Sequence, residues 1–292
     1  MKKIKNIYLT MGSYRKKIVV FGGAGFLGRG LISRLISMDN PEIIAVSRNE
    51  GELVKLKEIF PSVEIMVGDI ADRWMVKKAM NRANEVYLLS ALKHVGIAER
   101  DVMSCLKTNI MGVMNVVGES LITKPKLLMF ISTDKAAQSI GVYGSTKKLG
   151  ECLVHEAERI NEDTNYRIVR YGNVWNSTGS IVTKWRPKME KGEEVILTSP
   201  TASRFFWSLE EAVDLIFTCI NNATDSTPYI PEMKAASMGV VLEACMQKYG
   251  RVPVKVIGLQ PGENMTETMD GKIFSDQVEQ FTVEEFIQTF LK

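Results

Sequence analysis

The sequence predicts an α/β protein, a doubly wound parallel sheet followed by a smaller C-terminal lobe, and three observations carry that expectation. From residue 17, short β-rich apolar runs alternate with longer amphipathic segments, the rhythm of βαβ units around a parallel sheet. The first apolar run leads directly into a glycine-rich turn and a segment of helical length. After about residue 173 the alternation gives way to Gly-, Pro- and Ser/Thr-rich loops.

In chain order, the strand candidates are KIVVF (17–21), EIIAVS (42–47), EIMVGD (64–69), EVYLLS (85–90), LLMFIS (127–132) and YRIVRYG (166–172). Between them lie segments of helical length, among them FLGRGLISRLISM and AERDVMSCLKTNIMGVMNVVGESL. Met103, Met111 and Met114 fall at helical spacing in the second of these, where core packing is the expected role. Six such strands describe a Rossmann-type sheet, which places a dinucleotide-binding domain at residues 1–172. Residues 173–292, with SLEEAVDLIFTCI and MGVVLEACMQKYG, form a substrate-binding lobe laid over the carboxyl edge of the sheet, some elements interleaving with the first domain.

Composition excludes several classes of function. The 292 residues are 45% hydrophobic and 24% charged, which rules out collagen-like, coiled-coil and wholly disordered chains. A net charge of +3, evenly spread, gives no nucleic-acid footprint. Cys105, Cys152, Cys219 and Cys245 form no CxxC pair and read as buried thiols of a reducing compartment. His94 and His155 are the only histidines, so no multi-histidine metal site is expected. No apolar run reaches the ~18 residues of a membrane span. The basic start, MKKIKNIYLTMGSYRKK, lacks a signal-peptide pattern, and the expected location is the cytoplasm.

The turn after the first strand reads Gly22-Gly23-Ala24-Gly25-Phe26-Leu27-Gly28. Gly22 permits the tight turn, Gly25 admits a pyrophosphate close to the backbone, and Gly28 lets the helix pack on the strand with its N-terminus towards the phosphates. An NAD enzyme would place an acidic residue at the end of the second strand to hold the ribose 2′-hydroxyl. Here Ser47-Arg48-Asn49 stands instead, and a hydroxyl with a guanidinium suits a 2′-phosphate, so NADP is favoured over NAD. Otherwise Arg48 is a solvated loop cation. Asp69 and Ile70, ending the third strand, offer a carboxylate and an amide to an adenine edge, although an Asp in this place also caps helices.

Ser132-Thr133-Asp134-Lys135-Ala136 follows the fifth strand, and Tyr143-Gly144-Ser145-Thr146-Lys147 opens the next helical segment. The four-residue spacing puts Tyr143 and Lys147 on one helical face, where the ammonium is expected to lower the phenol pKa and make Tyr143 a base towards a sugar hydroxyl. Lys147 is also placed to hold a nicotinamide ribose. Asp134 beside Lys135 is either an exposed ion pair of little consequence or an acid/base pair one strand-end from Tyr143.

These motifs, with SRNE, ALKHVGIAE, KTNIMG, RYGNV, SRFFWSLEEAV and PGE, resemble the extended short-chain dehydrogenase/reductases over roughly residues 17–270. Within them the chain is most similar to nucleotide-sugar 4,6-dehydratases, in particular the inverting UDP-N-acetylglucosamine 4,6-dehydratases of polysaccharide biosynthesis. The resemblance implies tightly held NADP, Tyr143 as base at the sugar 4-hydroxyl, and Asp134 and Lys135 as the pair that eliminates water. It adds Ala91, Lys93 and Asn109 to the cofactor residues, Thr108 and Asn109 positioning the catalytic helix. It assigns Lys93, Thr133, Asn173, Arg204 and Glu263 to a UDP-sugar, and it implies a homo-oligomer. For His94 a packed or hydrogen-bonded structural role is expected.

The chain departs from the family at Ser139 and Gly141, where Pro and Asn are usual, at Ala202, and at Gln260, which replaces an arginine expected near the nucleotide. The competing readings are a 4-epimerase or 4-ketoreductase, which uses Tyr143 and Lys147 but has no use for Asp134, and a non-catalytic NADP-binding scaffold, which has no use for Tyr143 and Lys147.

Overall fold

A computed structural model of the protein describes residues 15–39 and 41–292; most of the basic N-terminal stretch lies outside them. Six strands form one parallel sheet: β1 (Lys17–Phe21), β2 (Glu42–Ser47), β3 (Glu64–Val67), β4 (Glu85–Leu88), β5 (Leu127–Ile131) and β6 (Asn165–Val169). Their order, β3-β2-β1-β4-β5-β6, is that of the Rossmann-type fold the alternation predicts. β1 and β5 are buried along almost their whole length because helices cover both faces of the sheet. On one side lie α1 (Phe26–Asp39) and α9 (Leu209–Asn222); α2 (Glu50–Ile59) and α3 (Arg73–Met80) make the crossovers near β2 and β3.

Four of the strand candidates run past the observed strands by up to three residues. The sheet ends at Val67, Leu88, Ile131 and Val169, and the next residues leave the ladder to form the loops of the carboxyl edge. Those extra residues carry Asp69, Ser132 and Tyr171 into a common cleft.

The segment from 98 to 121 is interrupted. α4 (Val95–Arg100) stops at Asp101, whose side chain accepts the Ser104 N–H and caps α5 (Val102–Leu106). A π-helical turn, Lys107–Met111, then leads into α6 (Gly112–Thr123). An Asp side chain that competes for backbone amides breaks a helix in this way, and π-turns commonly mark functional positions. The break overturns the core role expected for the methionines. Met103, Met111 and Met114 are 74%, 54% and 53% exposed, because the buried stripe runs instead through Cys105, Asn109, Val113 and Val116. Cys152 is a second correction: it lies on the solvent side of α7 (Val142–Ile160), while Cys105, Cys219 and Cys245 are buried and all four are free thiols.

Beyond residue 172 the chain adds β7 (Asn173–Val174), α8 (Ile181–Met189), β8 (Val195–Leu197), β9 (Ser203–Trp207), β10 (Ala235–Ser237), α10 (Met238–Tyr249), β11 (Val254–Val256) and α11 (Val283–Phe290). These make a β10-β9-β7 sheet and a parallel β11-β8 pair around a separate core of Trp175, Trp185, Phe206 and Phe286. The two halves interleave. α9 packs on α1, and Tyr229 bridges Val169 at the edge of the main sheet. Among the described residues no helix is long and apolar enough to cross a membrane.

Candidate active site

A cleft of about 1300 Å³ runs along the carboxyl edge of the sheet and under the C-terminal lobe. Every residue assigned from the sequence to catalysis, cofactor or substrate lines it except Asn109, which is buried behind its wall.

One end is built on β1 and α1. Gly22 turns the chain at φ +88°, and a Cβ on Gly28 would come within 2.4 Å of the Gly22 carbonyl oxygen, so glycine is required where α1 leaves the strand. α1 starts at Phe26, which sets the first-turn amides of Phe26 and Leu27 at the cleft. Gly25 is exposed, and a Cβ there would meet only the Gly22 carbonyl, so its face is open. At the end of β2 the Arg48 guanidinium is more than half exposed, with Nη1 3.4 Å from Thr108 Oγ1 and 3.7 Å from Asp69 Oδ2. Asp69 Oδ1 accepts the Ala71 N–H at 3.0 Å, and it is Asp72, not Asp69, that caps α3. Helix-terminal amides, an open glycine face and a half-exposed guanidinium held only by long contacts fit a phosphate-bearing dinucleotide. Ser47, Ile70 and Ala91 complete this wall.

The other end is built where β5 stops. Thr133 caps a short 3₁₀ turn, Asp134–Ala136, and so places Asp134 at 1% exposure on the cleft floor. Asp134 Oδ1 accepts three donors: Thr133 Oγ1 at 2.8 Å, the Lys135 amide at 2.8 Å and Lys135 Nζ at 3.1 Å. Asp134 Oδ2 is buried and has no hydrogen-bond partner. A buried carboxylate oxygen left unpaired in this way is costly unless a ligand donor meets it.

Tyr143 and Lys147 are buried in the first turns of α7. Lys147 Nζ donates to the Ile131 carbonyl and lies 4.1 Å from the centroid of the Phe130 ring. Burial brings its ammonium down to about 8, against the opposing charge of Glu151. Burial pushes the Tyr143 hydroxyl up to about 12, while Lys135 and the Thr133 hydroxyl pull the other way. The cation that counters this rise is Lys135, from the 3₁₀ turn packed against the start of α7, whereas Lys147 points to the end of β5.

Asn109, carried by the π-turn, accepts the Leu92 N–H and donates to the Leu92 carbonyl and to Thr146 Oγ1. Lys93 Nζ reaches Ser177 Oγ at 3.4 Å. His94 lies at the cleft with its ring against Gly179, and burial together with Lys93 and Lys184 lowers its pKa. Asn173 Nδ2 donates to the Phe205 carbonyl, and Glu263 accepts the Gln260 N–H, so it closes its own turn. Arg204 Nη1 donates to the carbonyls of Ser203 and Met265, while its Nε lies 3.7 Å from Glu267 Oε1. Among the described residues no cluster of His, Cys, Asp and Glu could hold a metal.

Three charged residues of the site, Glu151, Arg170 and Glu267, were not singled out from the sequence. Glu151, wholly buried one turn after Lys147, accepts from Ser132 Oγ and from both Nε and Nη2 of Arg170. Glu267, also buried, faces Lys135 at 3.5 Å. Glu151 has a visible sign, a carboxylate one helical turn after Lys147; Arg170 sits in the sixth strand candidate with nothing to mark its partner, and Glu267 lies in a stretch without periodicity.

Comparison with known proteins gives consistent results. The family described as "Polysaccharide biosynthesis protein" matches residues 18–289. The chain is 32% identical over 264 residues to an inverting UDP-N-acetylglucosamine 4,6-dehydratase of Campylobacter jejuni, covering 87% of this chain and 77% of that one. It is 28% identical over 263 residues to a UDP-glucose 4-epimerase of Rickettsia canadensis, again covering 87% and 77%. Among solved structures it is similar to the X-ray structure of Pen from Bacillus thuringiensis, with a TM-score of 0.83 and 28% identity over 86% of this chain and 80% of that one.

Proposed function

The chain belongs to the polysaccharide biosynthesis protein family, whose similar members include nucleotide-sugar dehydratases and epimerases, and from that premise we propose that it is an NADP-dependent UDP-N-acetylglucosamine 4,6-dehydratase that inverts C5. The observation that carries this reading is Asp134: a buried carboxylate paired with Lys135, with one oxygen unpartnered at the floor of the cleft. Elimination needs one group to take the C5 proton and one to protonate the departing C6 oxygen. A 4-epimerase needs neither, which makes it the poorer account of this pair.

The cofactor residues are the first-turn amides of α1, Ser47, Arg48, Asp69, Ile70, Ala91, Lys93, Tyr143 and Lys147, with Asn109 acting through the Leu92 loop. Bound there, NADP supplies a hydride acceptor for C4 and a hydride donor for C6. Tyr143 takes the proton of the 4-hydroxyl, and a cationic neighbourhood is required to bring its hydroxyl down from about 12. Transfer of a proton from Lys135 Nζ to Asp134 Oδ1, 3.1 Å away, gives an acid that protonates the departing C6 oxygen and a neutral amine that can accept the C5 proton. Lys135, held against Asp134, handles the C5 proton, and a lysine on that side is consistent with return of a proton to the opposite face. Lys93, Thr133, Asn173, Arg204 and Glu263 are assigned to the UDP-sugar along the cleft. A homo-oligomer belongs to the same reading, with the exposed methionine face of α5 and α6 as its contact.

The test is incubation of the protein with UDP-N-acetylglucosamine and no added reductant. Mass spectrometry is expected to show loss of one water, with solvent deuterium at C5 when the reaction runs in deuterium oxide. In Asp134→Asn, hydride transfer is expected to persist as transient NADPH absorbance while water loss stalls; Tyr143→Phe is expected to abolish both. Formation of a product with an intact 6-hydroxymethyl group rejects the dehydratase reading in favour of the epimerase.

A further inference from the structure

Behind the Asp134 carboxylate lies a second buried carboxylate from a distant part of the chain. Glu267 has 3% of its side chain exposed, and its Oε1 is 3.5 Å from Lys135 Nζ and 3.7 Å from Arg204 Nε. Its backbone is fixed. The Glu267 N–H donates to Ser275 Oγ at 3.0 Å, and the Ser275 N–H returns to the Glu267 carbonyl at 2.8 Å. The Glu267 carboxylate is therefore built into the wall of the cleft. Two carboxylates and two cations, Asp134, Glu267, Lys135 and Arg204, form a charge-balanced group with little access to water. Glu263, the glutamate of the PGE turn, plays no part in it, since its carboxylate accepts the Gln260 N–H.

We propose that Glu267 is a positioning residue of the acid–base centre: it holds the Lys135 ammonium beside Asp134 and ties Arg204 into the same wall. For its catalytic consequence the proposal rests on the dehydratase reading. The groups facing Lys135 are Asp134 from its own turn, Glu267 from the C-terminal segment, Arg204 from β9 and Tyr143 from α7; Glu99 of α4 lies across the small cavity beside Lys135 and accepts the Val142 N–H. Burial alone disfavours the Lys135 ammonium, and the carboxylates of Asp134 and Glu267 outweigh it, so Lys135 is raised above the usual lysine range. Without Glu267, one carboxylate is left against two cations. The ammonium then loses a proton more easily, and Lys135 gains freedom to leave Asp134.

The test reads Lys135 directly. In NADP-bound protein labelled with ¹³C-lysine, the Lys135 Cε resonance is identified by its loss in Lys135→Arg and followed with pH. Glu267→Gln is expected to lower the Lys135 midpoint by about one unit or more, and Glu267→Asp to recover part of that shift. The pH profile of water loss from UDP-N-acetylglucosamine is expected to move in the same direction. An unmoved Lys135 midpoint in folded Glu267→Gln overturns the proposal. If Glu267→Gln does not fold, Glu267→Asp decides, since its carboxylate is withdrawn by one methylene: a lowered midpoint supports the role and an unchanged one overturns it. A lowered midpoint in a protein that releases no water from the sugar supports the positioning of Lys135 and overturns the dehydratase reading alone.

Discussion

Asn109 Nδ2 donates to Thr146 Oγ1 at 3.0 Å, and the Thr146 hydroxyl in turn donates to the Tyr143 carbonyl at 2.8 Å. Through the same amide, Asn109 holds both backbone groups of Leu92, at the start of the loop that carries Lys93. One side chain on a π-turn thus fixes two walls of the cleft.

Asn109→Ala is therefore expected to act on both stability and turnover. It leaves the Leu92 N–H and carbonyl without their buried partner, a loss of about 2 kcal/mol or more in denaturant unfolding. Turnover is expected to fall at least about tenfold, because α7 and the Leu92 loop lose their common reference and Tyr143 is displaced. Unchanged turnover in the folded variant would show that the network serves packing only.

Arg48 stands more than half exposed at the end of β2, with its nearest partners beyond 3.3 Å. A guanidinium so loosely held is free to take a 2′-phosphate, whereas NAD offers it only a hydroxyl. Titration calorimetry on Arg48→Ala is expected to show about tenfold or greater weakening for NADP and little change for NAD, consistent with loss of one charge-assisted contact of about 1.5–3 kcal/mol. Equal losses for both dinucleotides would remove the 2′-phosphate role.

The main sheet and its glycine turn were legible because period-2 and period-3.6 patterns and Gly22, Gly25 and Gly28 are local signals. Tyr143, Lys147, Asp134 and Lys135 stood out for the same reason, since their spacing within one loop or helix carries the information. What failed depends on long-range context. The exposure of Met103, Met111 and Met114 follows from a helix interrupted at Asp101 and underwound at the π-turn, which periodicity does not report. Glu267 meets Lys135 across 132 residues of chain. Nothing near Glu267 in sequence distinguishes it from a surface glutamate. The pKa of Tyr143 also responds to Lys135, brought to it by the 3₁₀ turn, a contact that four-residue spacing within α7 does not report.

The exposed methionines carry a prediction of their own. Met111, which closes the π-turn, and Met114 and Ile122 on α6 fall three and eight residues apart, at 54%, 53% and 65% exposure, with Met103 on α5 nearby in sequence. A run of apolar side chains along a helix marks a contact surface more often than a solvated one. Sedimentation is expected to show the wild type as a dimer or larger, and Met111→Asp, which buries a charge in that contact, as a monomer with its fold intact. A wild type that sediments as a monomer at all working concentrations would end the oligomer reading.

Lys147 offers the clearest separation of stability from function. Its ammonium is buried, and burial brings its pKa from 10.5 down to about 8, partly countered by Glu151. The folded protein therefore binds fewer protons at this residue than the unfolded chain does between about pH 8 and 10.5, and stability from this residue rises with pH across that window. The penalty is present in full below pH 8 and is gone above 10.5. At roughly 1.4 kcal/mol per unit it amounts to about 3 kcal/mol at pH 7, less what the Ile131 hydrogen bond and the Phe130 contact return. Lys147→Met keeps a chain of similar volume without the charge. It is expected to raise the unfolding free energy at pH 7 by up to about 3 kcal/mol, with the gain shrinking steadily from pH 8 to 10. Turnover is expected to be lost, because in the proposed reading the Lys147 ammonium holds the cofactor's ribose. A variant less stable than the wild type at pH 7, or one whose gain does not change with pH, would mean that Lys147 is held by its hydrogen bond more strongly than burial opposes it.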